Sequence, residues 1–311
     1  MNVEATPQIP NPSDWVYLRL YLGAAMDRMD WLLIEIQKLV NANPRIGRWF
    51  YIRYVDDGGI HIRLRAQALP EDAARLSIEL NDGVAMILAR ISSQPPGNYA
   101  PMVAAPGYTE QIETLSIAHN DIRLKLTTYE PEYDKFGGPV GMPIAEELFH
   151  VSSEIACDLL QAEAVGQLSR KSVLPALMRA CFDAFQPQTD PVVFWREYAY
   201  YWLGSKTPAA EDWRDRFRRK AEELDASGIS TFDPDPRIRA LTQPLIARWT
   251  EALGQAASAY AAAGTTTDAD AEVLTFNIAH LMNNRLGIAV LEEAYIASLL
   301  EGAIAREALA A

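Results

Sequence analysis

Two hydrophobic patterns divide the chain, and one gives way to the other near residue 141. Trp15, Tyr17, Arg19 and Tyr21 alternate with Val16, Leu18, Leu20 and Leu22, the period of two that predicts a strand over 15–22. Met29, Leu32, Leu33, Ile36, Leu39 and Val40 then recur at helical spacing, and Asn43-Pro44 ends that helix because the residue before proline is driven out of helical geometry. Strand-like runs over 48–55 and 60–66 flank Asp56-Asp57-Gly58-Gly59, a hairpin signal. A helix over 71–91 and a strand over 122–129 follow. The order strand, helix, hairpin, helix, strand predicts an α+β layer, with helices packed on a mostly antiparallel sheet.

From residue 142 the pattern is predominantly helical, broken by short Pro, Gly and Asp turns. Helices are predicted over 143–166, 171–185, 190–203, 209–225, 235–263 and 268–308, the first starting with Pro143 near its first position. The mixed α/β part (13–141) and the helical part (142–308) are expected to form a single catalytic unit spanning 1–311. The opening with Pro7, Pro10 and Pro12 reads as an irregular lead-in. Residues 92–120 are long and irregular, a candidate surface for peptide contact.

Composition narrows the function classes. Of 311 residues, 49% are hydrophobic and 22% charged, enough to bury a sizeable core. Lys and Arg number 28 against 41 Asp and Glu, so the net charge is 28 − 41 = −13. That balance argues against direct nucleic-acid binding, which needs clustered cations, while leaving room for a small basic pocket in an acidic chain. No signal peptide or membrane-length apolar run is present, and Cys157 and Cys181 lack CxxC spacing. Reduced, buried thiols in a cytoplasmic protein are therefore expected. The four histidines have no metal-ligand spacing and no glycine-rich phosphate loop occurs, so no metal or other cofactor is expected.

Three places carry candidate chemistry. On the second hairpin strand, His61, Arg63 and Arg65 fall on one face and Ile60, Ile62 and Leu64 on the other. Three potential cations in a row make either a solvated face with acidic neighbours or a wall that recognises anions, with Arg suited to bidentate carboxylate contacts. In the last predicted helix, Asn277, His280, Asn284 and Gly287 fall within a sector of about 80°. That face is expected to be buried, holding either a satisfied core histidine or a positioned general acid/base. Gly287 there is read as a helix-interior glycine that allows close approach. The third place is the strand-to-helix segment from Thr127 to Met142, with Tyr129, Glu132 and Gly137-Gly138. His119 and His150 read as structural.

Five segments in order resemble one family: Trp49 to Tyr54 with Arg53, His61 to Arg65, Tyr129 to Glu132 with Phe136-Gly137-Gly138, Ala145 to Phe149, and His280 with Asn284-Arg285-Leu286. From about Ser13 to Leu300 the chain resembles the C-terminal domain of lantibiotic dehydratases, which also occurs free-standing as a thiopeptide-type bacteriocin biosynthesis protein. The resemblance implies a lyase that matures a ribosomally made peptide by eliminating glutamate from glutamylated Ser or Thr, leaving dehydroalanine or dehydrobutyrine. It implies His280, Arg63 and Arg65 as catalytic residues, and His61, Arg53, Tyr129, Glu132, Asn277, Asn284 and Arg285 as substrate-binding ones. The implied partners are a precursor peptide with leader and core and a separate tRNA-dependent glutamylating dehydratase half; no direct nucleic acid or membrane is implied, and a homodimer is compatible. Pro131 departs from lantibiotic members, which often carry Arg there, and matches free-standing thiopeptide members. A sister activity with the same fold is therefore carried as the alternative: a pyridine synthase joining two dehydroalanines by formal [4+2] aza-cycloaddition with release of the leader. A non-catalytic scaffold that binds the leader is the third reading.

Overall fold

The computed structural model describes residues 14–69, 71–92, 121–226, 235–264 and 268–310. The lead-in, His119 and nearly all of the candidate surface 92–120 lie outside the described residues. The described chain divides into two compact units, one ending at Pro131 and the other beginning at Glu132.

The first unit is the expected α+β layer. Strands β1 (Trp15–Tyr21), β2 (Ile46–Asp56), β3 (Gly59–Ala68) and β4 (Arg123–Thr127) form one antiparallel sheet in the order β2-β3-β1-β4. Helix α1 (Met29–Asn41) follows a 3-10 turn (Gly23–Arg28), and α2 (Ala73–Ser92) follows β3. At the hairpin, Asp56 Oδ1 accepts the Gly58 N–H at 2.9 Å and Gly59 takes a positive φ of 104°, so glycine serves where a Cβ would strain the chain. One sheet face, with Leu18, Leu20, Trp49, Tyr51, Ile62 and Leu64, is fully buried and packs under the helices. Gly83 lets α2 approach α1, because a Cβ there would stand 2.8 Å from Leu39.

The second unit is helical among its described residues. Its helices are α3 (Gly138–Ala164), α4 (Leu174–Phe185), α5 (Pro191–Trp202), α6 (Pro208–Ala226), α7 (Pro236–Ala263), α8 (Asp268–Leu286) and α9 (Val290–Ala310). Asp190 and Asp235 cap α5 and α7, accepting first-turn backbone N–H groups ahead of Pro191 and Pro236. Trp249 of α7 donates to Leu177 O of α4 at 3.2 Å, so a large buried ring also satisfies its polar atom. Cys157 and Cys181 are buried and unbridged; burial pushes the Cys181 thiol up, which keeps it protonated. No described helix is long and apolar enough to cross a membrane.

Two boundaries correct the sequence expectation. Helix α3 begins at Gly138 rather than Pro143, so Pro139 takes the first-turn place and Pro143 sits inside the helix without a donor for the fourth carbonyl before it. Tyr260 of α7 secures this entry by donating to Gly141 O at 3.1 Å, and a Cβ on Gly141 would meet Phe136 O at 2.1 Å. The predicted 268–308 helix is two helices. Gly287 has φ 72°, its N–H bonds Asn284 O at 2.9 Å, and the Ile288 N–H bonds Asn283 O at 3.0 Å, the paired bonds of a Schellman stop. Gly287 is thus a helix terminator, not a helix-interior glycine. Glu292 then accepts the Ala289 N–H at 3.3 Å, closing half of a capping box for α9.

Candidate functional site

On the sheet face turned away from α1 and α2, register gathers a set of rings and cations. Tyr17, Arg19 and Tyr21 of β1 stand opposite Arg65, Arg63 and His61, and Phe50, Ile52 and Tyr54 of β2 stand opposite the same three from the other side. This face is not a solvated one: His61 is 0% and Arg65 6% exposed. Arg65 is enclosed by rings, its guanidinium carbon 4.5 Å from the Tyr17 centroid, 5.2 Å from Tyr129 and 5.3 Å from Phe50. The predicted Tyr129 therefore joins the predicted Arg65.

His61 is not a third cation. Its Nδ1 lies 3.0 Å from Gly59 O, an atom that can only accept, so Nδ1 carries the proton. Nε2 is left to accept from Arg63 Nε at 3.3 Å. Burial pushes the His61 pKa down, against the opposing pull of Gly59 O and Asp56, which keeps the ring neutral. Arg63 is held by this bond and by stacking 3.3 Å above the Tyr54 ring centroid. Among the described residues no carboxylate pairs with half-buried Arg63, whereas Arg19 is paired with Asp56 at 3.2 Å. A neutral acceptor and a ring orient Arg63 without neutralising it, which leaves its terminal amino groups suited to an anion.

Arg53 is not part of this set. It sits on the opposite face, where it donates to Asp30 of α1 at 2.7 Å. Glu132, exposed at the start of the second unit, pairs with Lys135.

In the second unit His280 projects from α8, and the Gly287 turn brings α9 back against it. A continuous helix would separate residues 280 and 293 by roughly 20 Å along its axis. Instead, Glu293 Oε1 and Oε2 lie 3.1 and 3.2 Å from His280 Nδ1. A carboxylate accepts, so Nδ1 carries the proton and Nε2 remains the basic atom. Glu293 is 0% exposed and also accepts from Tyr198 Oη of α5 at 2.7 Å. Burial, and next the Glu293 carboxylate, push the Tyr198 phenol well above its ordinary value, so it stays a donor. Trp202 lies against the imidazole with centroids 4.4 Å apart.

The expected buried face of α8 is half-buried: the His280 side chain is 25% exposed, and Asn277 and Asn284 are intermediate. Asn277, one turn before His280, gives one amide hydrogen to Val273 O at 2.9 Å and lines a cavity of about 860 Å³. Asn284 lies one turn beyond His280, and its carbonyl accepts the Gly287 N–H. Arg285 turns instead into the core, its Nε donating to Ser153 Oγ of α3 at 3.1 Å and its guanidinium 5.1 Å from the Phe149 ring. Sequence reasoning missed Glu293, Tyr198 and Trp202. The signal that could have found Glu293 was Gly287 followed by Glu292, a helix stop and restart. No group of three or more His, Cys, Asp or Glu among the described residues is arranged to hold a metal ion.

Residues 15–304 match the family model described as lantibiotic biosynthesis dehydratase C-term. Compared directly as a sequence, the chain matches none of the curated proteins. Among solved structures it resembles the tRNA-dependent lantibiotic dehydratase MibB from Microbispora sp. 107891, with 21% identity and a TM-score of 0.63 over 98% of this chain. It spans 29% of that larger chain. It also resembles TbtD, a pyridine synthase from thiomuracin biosynthesis, with 17% identity and a TM-score of 0.66 over 96% of this chain and 99% of that one. TsrL is similar at 14% identity, with a TM-score of 0.56 and 94% of each chain covered.

Proposed function

Because this chain belongs to the lantibiotic dehydratase C-terminal family, we propose that it is a lyase of ribosomal peptide maturation that eliminates glutamate from glutamylated Ser or Thr. The observation that carries the reading is the His280–Glu293 pair, a base whose basic nitrogen is selected and aimed by a buried carboxylate. His280 Nε2 takes the Cα proton, the C–H electron pair becomes the Cα=Cβ bond, and the Cβ–O bond breaks. Glutamate leaves as a carboxylate with the electron pair of the broken Cβ–O bond. A positioned base of this kind contributes roughly 10²–10⁴-fold. Glu293 is a positioning residue that stabilises the imidazolium as it forms, and Tyr198 holds Glu293.

Arg63, stacked on Tyr54 and bonded to a neutral imidazole, is suited to bind an acidic group of the peptide substrate. No carboxylate pairs with it among the described residues, while ring-enclosed Arg65 supports the strand face around it. The glutamylated substrate is made by a tRNA-dependent glutamylating activity, and the net charge of −13 fits tRNA being handled outside these 311 residues. The precursor peptide is the partner, bound through leader and core.

A second reading is favoured by one observation. Pro131 stands where the lantibiotic members that the chain resembles often carry Arg. Under it the protein joins two dehydroalanines into a pyridine ring with leader release, and His280 moves protons between nitrogen and oxygen of the condensing amide. Incubating the protein separately with a glutamylated and with a fully dehydrated precursor, followed by mass spectrometry, decides between them. Glutamate loss from the first supports elimination; leader loss from the second, with the first unchanged, overturns it in favour of cyclisation.

A further inference from the structure

The cavity beside the His280 helix has walls that, Tyr198 apart, none of the chemistry above uses. Phe194, Tyr198, Tyr200, Tyr201 and Phe276 line it, with Asn277 at its edge. It is one ring removed from the base: Phe276 stacks on Trp202 with centroids 5.8 Å apart and an interplanar angle of 18°, and Trp202 lies on His280. Its volume of about 860 Å³ accepts a large side chain together with the backbone on either side.

Most of the polar groups around it are already engaged. Tyr198 Oη is given to Glu293, and Tyr200 Oη to Glu211 at 2.6 Å, so both rings meet the cavity without a hydroxyl to satisfy. Glu197 pairs with Lys206 at 2.6 Å, and Glu272 accepts from Thr189 Oγ1. A cationic ligand has no vacant ring at Tyr200, because Lys206 and Arg214 lie 5.4 and 4.6 Å from its centroid. Ring surface remains, most openly on Tyr201, which is 63% exposed. Three further groups are on offer: the Tyr201 and Ser205 hydroxyls and the Asn277 side-chain oxygen have no partner among the described residues, and the last can accept a backbone N–H.

We propose that this cavity is a specificity pocket for an uncharged aromatic side chain of the peptide substrate, next to the residue on which His280 acts. The inference rests on the proposed reaction for its location and on the cavity alone for its chemistry. Aromatic walls select a ring over an aliphatic chain because edge-to-face and offset contacts add to area burial.

The test is binding, measured without turnover. The probes are the capped tripeptides acetyl-Ala-Phe-Ala-amide, acetyl-Ala-Leu-Ala-amide, acetyl-Ala-Lys-Ala-amide and acetyl-Ala-Ala-Ala-amide, titrated by ligand-observed NMR. The phenylalanine probe is expected to bind ~10–100-fold tighter than the alanine probe, from burial of one aromatic side chain, and tighter than the other two. V273W, at an exposed wall position, places a ring in the cavity and is expected to abolish that preference, with circular dichroism confirming the fold. Equal binding of the phenylalanine and alanine probes, tighter binding of the leucine or lysine probe, or an unaltered preference in V273W overturns the pocket. Preferential binding of the phenylalanine probe by a protein that releases no glutamate supports the pocket and overturns only the reaction.

Discussion

Replacing Glu293 by Gln isolates the charge at the heart of the candidate dyad. The amide has the shape of the carboxylate, can accept the His280 Nδ1–H and can donate to Tyr198 Oη, so the local geometry survives. What disappears is the negative charge beside an imidazole that becomes cationic when it takes the substrate proton. At a charge separation of ~4 Å and an effective dielectric near 20, the attraction is about 4 kcal/mol. Because the His280 side chain is 25% exposed, water screens part of it, and about half is a fair expectation. A loss of ~2 kcal/mol corresponds to roughly 30-fold in kcat, with KM little changed. Steady-state elimination measured by mass spectrometry gives the rate, and 15N NMR of labelled histidine checks that Nδ1 keeps its proton. An unaltered kcat with the tautomer retained refutes the electrostatic role of Glu293.

The two strand arginines should separate stability from activity. Arg63→Lys keeps the charge but loses the flat fork stacked on Tyr54, so elimination should fall ~10-fold or more while urea denaturation shifts by less than ~0.5 kcal/mol; Arg65→Ala opens the Tyr17–Phe50–Tyr129 enclosure and should destabilise by ~2–3 kcal/mol. Burial holds the His61 pKa below its ordinary 6.5, so the unfolded chain takes up the proton first and stability contributed there is lost as pH falls below 6.5. Urea midpoints at about pH 7.5 and 5.5 should therefore fall further for the native protein than for His61→Asn, and equal falls contradict the neutral, buried ring. Gly141→Ala drives a Cβ to within 2.1 Å of Phe136 O and should lower stability by ~2–4 kcal/mol, whereas Gly138→Ala, with φ 72° and open space, should cost only ~1–2 kcal/mol; calorimetric melting compares them.

The hairpin was legible because alternation and the Asp56-Asp57-Gly58-Gly59 turn point to the same structure, and the shared face of His61, Arg63 and Arg65 followed from the period of two. The charge state of that face was not legible. Burial of His61 and the rings around Arg65 come from β1 and β2 laid on either side of β3 and from Tyr129 just past β4, a pairing that local pattern does not encode. On the helical side, His280 could be singled out by spacing, but its partner could not while 268–308 was read as one helix. Arg285, next to Asn284 in the motif, proved to face α3, since adjacent helical residues point about 100° apart.

The turn at Gly287 also limits how the chain can vary. Base and carboxylate lie on one uninterrupted stretch, 280–293, and meet only because the connection between α8 and α9 has its present length. One residue added between Ala289 and Glu293 would rotate the carboxylate by about 100° around α9 and away from the imidazole. Substitutions along this stretch can be absorbed one at a time, but an insertion or deletion here would disconnect the pair in a single step.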